Sequence, residues 1–214
     1  MKREIKIPPY SRSEELCNAI THGLGAILSI AALVLMLVRA RGALAVTAAA
    51  LFGSSMILLY TISCLYHALS PGSSGKKVLR VLDHCTVFLL VFGTYIPASL
   101  LGVPAPRSWV LFGTVAFFTL LGIVFTAVDL ERFQFAAVLC QLLSGWSILL
   151  GISGLLQTAG VPGLLWMIAG GVMYTIGAVL YGVGKHKKYC HSVFHLFCLL
   201  GSFCHFWSIY WYLL

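Results

Sequence analysis

Long apolar runs separated by short breaks constrain this chain more than any other feature. A helix crossing the roughly 30 Å hydrocarbon core of a bilayer needs about 20 predominantly apolar residues. Runs of about that length lie at His22 to Val38, Ala43 to Tyr66, Cys85 to Leu101, Trp109 to Val128, Phe133 to Leu156, Pro162 to Val183 and His191 to Leu213. The breaks carry turn chemistry: Arg41-Gly42, Ser70-Pro71-Gly72, Gly102 to Pro106, Asp129 to Arg132, Gly160 to Gly163 and Gly184 to Lys188. The expected fold class is all-α, a polytopic membrane protein built as a seven-transmembrane helix bundle. Residues 1–13 read as a polar cytoplasmic tail and residues 14–214 as one helical domain, since no linker or low-complexity stretch divides them.

Composition agrees. The chain is 60% hydrophobic and 9% charged, with mean hydropathy +0.96, whereas soluble domains carry about 25% charged residues. The first run is not a signal peptide, because it ends in Arg39 and Arg41 and no small-residue cleavage pattern follows. Ser13 with Glu14 and Glu15 marks the expected start of the first helix. The formal charge of +8 does not point to nucleic acid, because the basic residues sit in short breaks and form no basic face.

With seven crossings, one side holds Lys2, Arg3, Lys6, Arg12, Lys76, Lys77, Arg80, Arg132, Lys185, Lys187 and Lys188, and the other only Arg39, Arg41 and Arg107. Eleven against three places the N-terminus in the cytoplasm and the C-terminus outside the cell (inner) membrane. The seven cysteines are odd in number and scattered through apolar runs, so they imply packing rather than a disulfide framework. Gly170, Gly177 and Gly184 recur every seven residues and form a small-residue stripe for close helix approach.

Polar side chains in such runs are expensive and mark functional positions. Glu15, Asn18 and His22 share one face of the first helix; Ser63 and His67 are four apart on the second; Asp83 stands at the start of the third; His191 and His195 open the last. The topology puts all four sets in the inner leaflet. Neutral imidazole suits zinc, and three histidines with one open position is a catalytic arrangement. His67, His191 and His195 supply the three ligands, with Asp83 placed to hold a water rather than the ion. Ser63, Glu15, Asn18 and His22 would orient ligands or contact substrate. Cys64 and Cys198 are not assigned as ligands. His205 lies ten residues past His195, about 15 Å along a helix, too far to share an ion. It and His84 are expected to pack through hydrogen bonds, and His186 to be a solvated loop residue. A proton relay of histidine and aspartate is the competing use of such a set.

The pattern Glu15-x2-Asn18-x3-His22, Ser63-x3-His67 with Asp83, and His191-x3-His195 resembles the motifs of the hemolysin III and PAQR (progestin and adipoQ receptor) family. So do Thr21-His22-Gly23-Leu24-Gly25, Gly93-Thr94-Tyr95-Ile96-Pro97 and Gly170-Gly171-x2-Tyr174. The resemblance runs from about residue 14 to the C-terminus, and the short tail is similar to the bacterial branch. It implies seven helices, a cytoplasmic N-terminus and zinc near the inner face on His67, His191 and His195, with Asp83 at the position that contacts the ion's water. The family is also similar to alkaline ceramidases, which implies metal-dependent amide hydrolysis.

Three functions follow as expectations. The first is a zinc hydrolase, with catalytic Asp83 and Ser63, acting on a lipid or fatty-acyl amide or ester in membrane lipid homeostasis. The second is a non-catalytic sensor or receptor of membrane state in which zinc only joins helices. The third is a cytolytic pore, although no amphipathic pore-forming segment is visible in the sequence.

Overall fold

The computed structural model of the chain describes residues 5–184 and 187–214, so Lys2, Arg3, Lys185 and His186 lie outside the described residues. The elements are α1 (Arg12–Arg39), α2 (Gly42–Ala68), α3 (Ser74–Leu100), α4 (Arg107–Asp129), α5 (Gln134–Gly145), α6 (Ile148–Val183) and α7 (Cys190–Tyr212).

α1 shows how such a helix is oriented. Its buried residues include Glu15, Asn18, His22, Gly25 and Ser29, at helical spacings of three and four. Leu16, Ile20, Leu24 and Ile27, on the opposite face, are each more than half exposed. Polar inside and apolar outside is the reverse of a helix packed in water, and it is stable where hydrocarbon replaces the solvent. Among the described residues, six segments are long and apolar enough to span a membrane: α1, α2, α3, α4, the stretch Gln134–Val183 and α7.

The stretch Gln134–Val183 has 50 residues, which as one straight helix would extend about 75 Å, well over twice the hydrocarbon thickness. It does not run straight. α5 ends at Gly145, and α6 is broken at Gly160, where φ 64° and ψ −178° lie in a region open essentially to glycine alone. The two sides of this break meet: Gln134 Nε2 donates to Tyr181 OH at 3.2 Å, and Trp146 Nε1 to Thr175 Oγ1 at 3.0 Å. The segment therefore folds back on itself.

α1 packs on α2 and α7, α2 on α3, α3 on α4, α4 on α5, and α6 on α7. The glycine stripe of α6 seats α7. A Cβ at Gly170 would fall 2.2 Å from the His205 ring, one at Gly177 3.3 Å from Phe194, and one at Gly184 2.2 Å from Cys190 Sγ. Phe52, Met56, Tyr60, Leu90 and Ile209 fill the core between α1, α2, α3 and α7.

Two expected helix starts shift. The cap of α1 is Ser11, not Ser13: Ser11-x-x-Glu14 is a complete capping box, with Glu14 N donating to Ser11 Oγ and Ser11 N to Glu14 Oε2. α3 begins at Ser74 rather than Cys85, capped by Ser73 Oγ accepting from Lys76 N at 3.2 Å. Lys76, Lys77 and Arg80, expected in a loop, are helical. Asp83 accordingly lies well inside α3 and not at its start.

Candidate metal centre

The cluster sits at one end of the bundle, where α1 and α7 begin and α2 ends. On α1, Glu15, Asn18 and His22 are buried and Thr21 partly so, along the face turned toward the bundle. α7 is tied to α1 at three points. Tyr189 N donates to Glu14 Oε1 at 2.8 Å, Ser192 Oγ donates to Asn18 Oδ1 at 2.5 Å, and Thr21 Oγ1 is 3.3 Å from His195 Nδ1.

These ties decide which imidazole nitrogens are free. Glu15 Oε2 lies 2.6 Å from His67 Nδ1; a carboxylate accepts, so Nδ1 carries the proton and Nε2 presents its lone pair. His67 Nε2 is buried without a protein partner among the described residues. The Thr21 hydroxyl hydrogen goes to the carbonyls of Cys17 and Asn18, each at 2.9 Å, so toward His195 it is the acceptor, and His195 likewise presents Nε2. That nitrogen lies 3.1 Å from His191 Nε2. One ring nitrogen from each of His67, His191 and His195 lies within 4.8 Å of the others.

This donor set fits zinc. Three nitrogens at about 2.0 to 2.1 Å from a tetrahedral ion stand about 3.4 Å apart. The His191–His195 pair is already near that spacing, and a shift on the order of 1 Å brings in the third. Glu15 on His67 Nδ1 is the carboxylate–histidine pairing that fixes tautomer and ring direction in metal sites.

The expected supporting residues are at hand. The His22 ring stacks on His195 with centroids 3.5 Å apart and planes within 6°, and neither of its nitrogens has a protein partner among the described residues. Ser63 Oγ is buried and equally unpartnered. His22, Ser63, Asp83, His191 and His195 line one cavity of about 130 Å³. Cys64 and Cys198 are absent from the metal-competent group. His84 bonds Arg80 O at 2.8 Å and Tyr181 OH at 3.0 Å, and His205 bonds Met167 O at 3.1 Å, the packing hydrogen bonds expected of both.

Sequence reasoning missed a second group. Lys76 is fully buried, with Nζ 2.7 Å from Glu15 Oε1 and 2.9 Å from Leu69 O, over the Tyr66 ring. Glu15 is thus held between Lys76 and His67. Arg80 Nη1 bonds Glu131 and the Lys6 carbonyl, which draws the N-terminal segment across this end of the bundle. There Tyr10 stacks on His191 with centroids 5.0 Å apart, and burial raises its phenol pKa above the ordinary value. The signal was present: Lys76, Arg80, Asp83 and Val87 follow a four-three-four spacing, one helical face running into the apolar run. Hydropathy alone starts the helix too late to register it.

An all-helical bundle, apolar outside and carrying a buried three-histidine cluster at one end, defines a multi-pass membrane protein with a metal-competent centre. The sequence signature described as "Haemolysin-III related" matches residues 10–206. The chain belongs to that family. It is 36% identical to Hemolysin-3 of Bacillus cereus over 94% of this chain and 92% of the relative. It is 32% identical to the Hemolysin-3 homolog of Bacillus subtilis over 95% and 96%. A more distant similarity, 25% identity over 70% of this chain and 37% of the relative, joins it to the adiponectin receptor protein of Drosophila melanogaster.

Proposed function

We propose that this chain is a zinc-dependent hydrolase of a lipid amide or ester in the cell (inner) membrane, acting in membrane lipid homeostasis. The observation that carries the reading is the convergence of three imidazoles, two of which, His191 and His195, line the head of a long apolar cavity. That cavity reaches from His191 to His205 on α7, fourteen residues or about 21 Å, and its walls suit an acyl chain.

His67, His191 and His195 would hold the ion, and Glu15, backed by Lys76, keeps Nδ1 of His67 protonated and its Nε2 directed inward. An ion such as zinc held there would supply Lewis acidity and make water a competent nucleophile near neutral pH. Asp83 orients the attacking water and accepts its proton. The Ser63 hydroxyl, with no protein acceptor to hold it, donates to the developing oxyanion. His22, buried against His195, contacts the substrate head, and the apolar walls exclude bulk water.

The topology in this reading has seven crossings, the fold-back at Gly160 separating the fifth from the sixth, with the N-terminus in the cytoplasm and the C-terminus outside. The basic-residue asymmetry supports it. A second reading rests on the similarity to the adiponectin receptor protein: a sensor in which the ion only joins α2 to α7. A third rests on the name Hemolysin-3 carried by relatives: a pore. Hydrolysis of a fluorescent ceramide or acyl ester by purified protein, abolished by chelation and restored by zinc, is the deciding result for the first. Zinc-loaded protein without turnover leaves the sensor, and dye leakage from liposomes containing the protein would establish the pore.

A further inference from the structure

The far end of the cavity carries polar groups that an acyl chain alone does not use. Almost all of them are engaged within the protein. Thr94 Oγ1 donates to Leu90 O, Tyr95 OH to Gly145 O and Trp146 Nε1 to Thr175 Oγ1, while Tyr174 OH shares a hydrogen bond with Ser202 Oγ. His205 differs. It is 8% exposed, and its Nε2 lies 3.1 Å from Met167 O. A carbonyl only accepts, so Nε2 carries the proton and Nδ1 is a bare acceptor. Nδ1 has no protein partner among the described residues. The Cδ2–Nε2 edge is seated on Gly170, where an added Cβ would fall within 2.2 to 2.3 Å of both atoms. The Nδ1 edge is therefore turned away from the α6 backbone, and His205 lines the cavity that begins at His191 and His195.

We infer that His205 Nδ1 forms a second polar subsite, which accepts a hydrogen bond from a hydroxyl borne partway along the acyl chain of the ligand. A buried acceptor left unpaired is costly, so a chain that brings a donor to this depth is favoured over one that does not. The spacing sets the position. His205 is ten residues beyond His195, about 15 Å along α7, and an extended chain advances about 1.2 Å per bond. The hydroxyl thus falls about twelve bonds from the carbonyl held at the histidine cluster. This rests on the reading of the cavity as an acyl site, but not on hydrolysis.

The test is equilibrium binding of stearate, 2-hydroxystearate and 12-hydroxystearate to the purified full chain in detergent. Wild type should bind 12-hydroxystearate about tenfold more tightly than stearate, with no such gain for 2-hydroxystearate. His205→Leu should remove the preference for 12-hydroxystearate over stearate, whatever it does to the affinity for stearate itself. Equal affinity of wild type for stearate and 12-hydroxystearate would overturn the subsite and assign Nδ1 to a water. Absence of saturable binding by all three would overturn the acyl cavity itself, and the subsite with it. The ligand series in wild type decides the matter even if the variant does not fold.

Discussion

At the scale of single residues, Glu15 joins three parts of the molecule. It sits on α1, receives His67 of α2 on one oxygen and Lys76 of α3 on the other. Charge at both ends fixes the carboxylate, and the carboxylate fixes the imidazole. Outer partners of metal ligands are typically worth about 10- to 100-fold in metal affinity. Glu15→Gln should weaken zinc binding by about that factor in a chelator competition assay, and Lys76→Met should weaken it in the same direction. Asp83 makes a different prediction. Asp83→Asn keeps the side chain's size and removes its basicity, so zinc content and fold should persist while turnover falls about 10²- to 10⁴-fold. Full turnover in that variant would remove Asp83 from the catalytic role, whereas a full cellular phenotype with intact zinc and no turnover would leave the sensor as the better account. Replacing both Cys64 and Cys198 by Ala should leave zinc content unchanged in elemental analysis, since neither thiol belongs to the metal-competent group.

At the scale of elements, two local devices hold the helices where the site needs them. Ser11 and Glu14 form the capping box of α1, and Glu14 also receives the backbone N–H of Tyr189, so the box fixes α7 as well. Removing an N-cap hydroxyl typically costs about 1 kcal/mol. Ser11→Ala should lower thermal stability in detergent by about that amount. Gly160 is the other device. Its φ of 64° with ψ −178° is a conformation that costs a residue with a side chain about 1 to 3 kcal/mol. Gly160→Val should destabilise the protein accordingly, whereas the same change at Gly171, where an added Cβ meets nothing within 4 Å, should do much less.

At the scale of the whole molecule, the exterior is apolar and the polar groups lie within, so lipid is the solvent against which the fold is stable. The proposed seven-crossing topology would place the two ends on opposite sides. Reporter fusions at each terminus should therefore give opposite signals, with the N-terminal one cytoplasmic; termini on one side would remove the seventh crossing. The purified protein should carry about one zinc per chain, measured by elemental analysis after chelator-free purification, and finding no transition metal would remove the basis for the hydrolase.

The sequence by itself determined whatever is set by spacing along one chain segment. Apolar runs of membrane-crossing length specify helices in lipid, and the i, i+4 pair His191 and His195 must share a face wherever α7 packs. Glu15, Asn18 and His22 face one way for the same reason. Tertiary structure decided the rest, because it depends on how far each helix is rotated and where its neighbour stops. Lys76 read as a loop cation, and only the early start of α3 buries it against Glu15. His22 read as a supporting residue, and only the close approach of α1 to α7 stacks it on His195. His205 was too far along α7 to join the candidate metal ligands, and only the shape of the space between α3, α6 and α7 makes it line the same cavity. Contacts among residues 15, 67, 76 and 195 join segments far apart in the chain, and no local period encodes them.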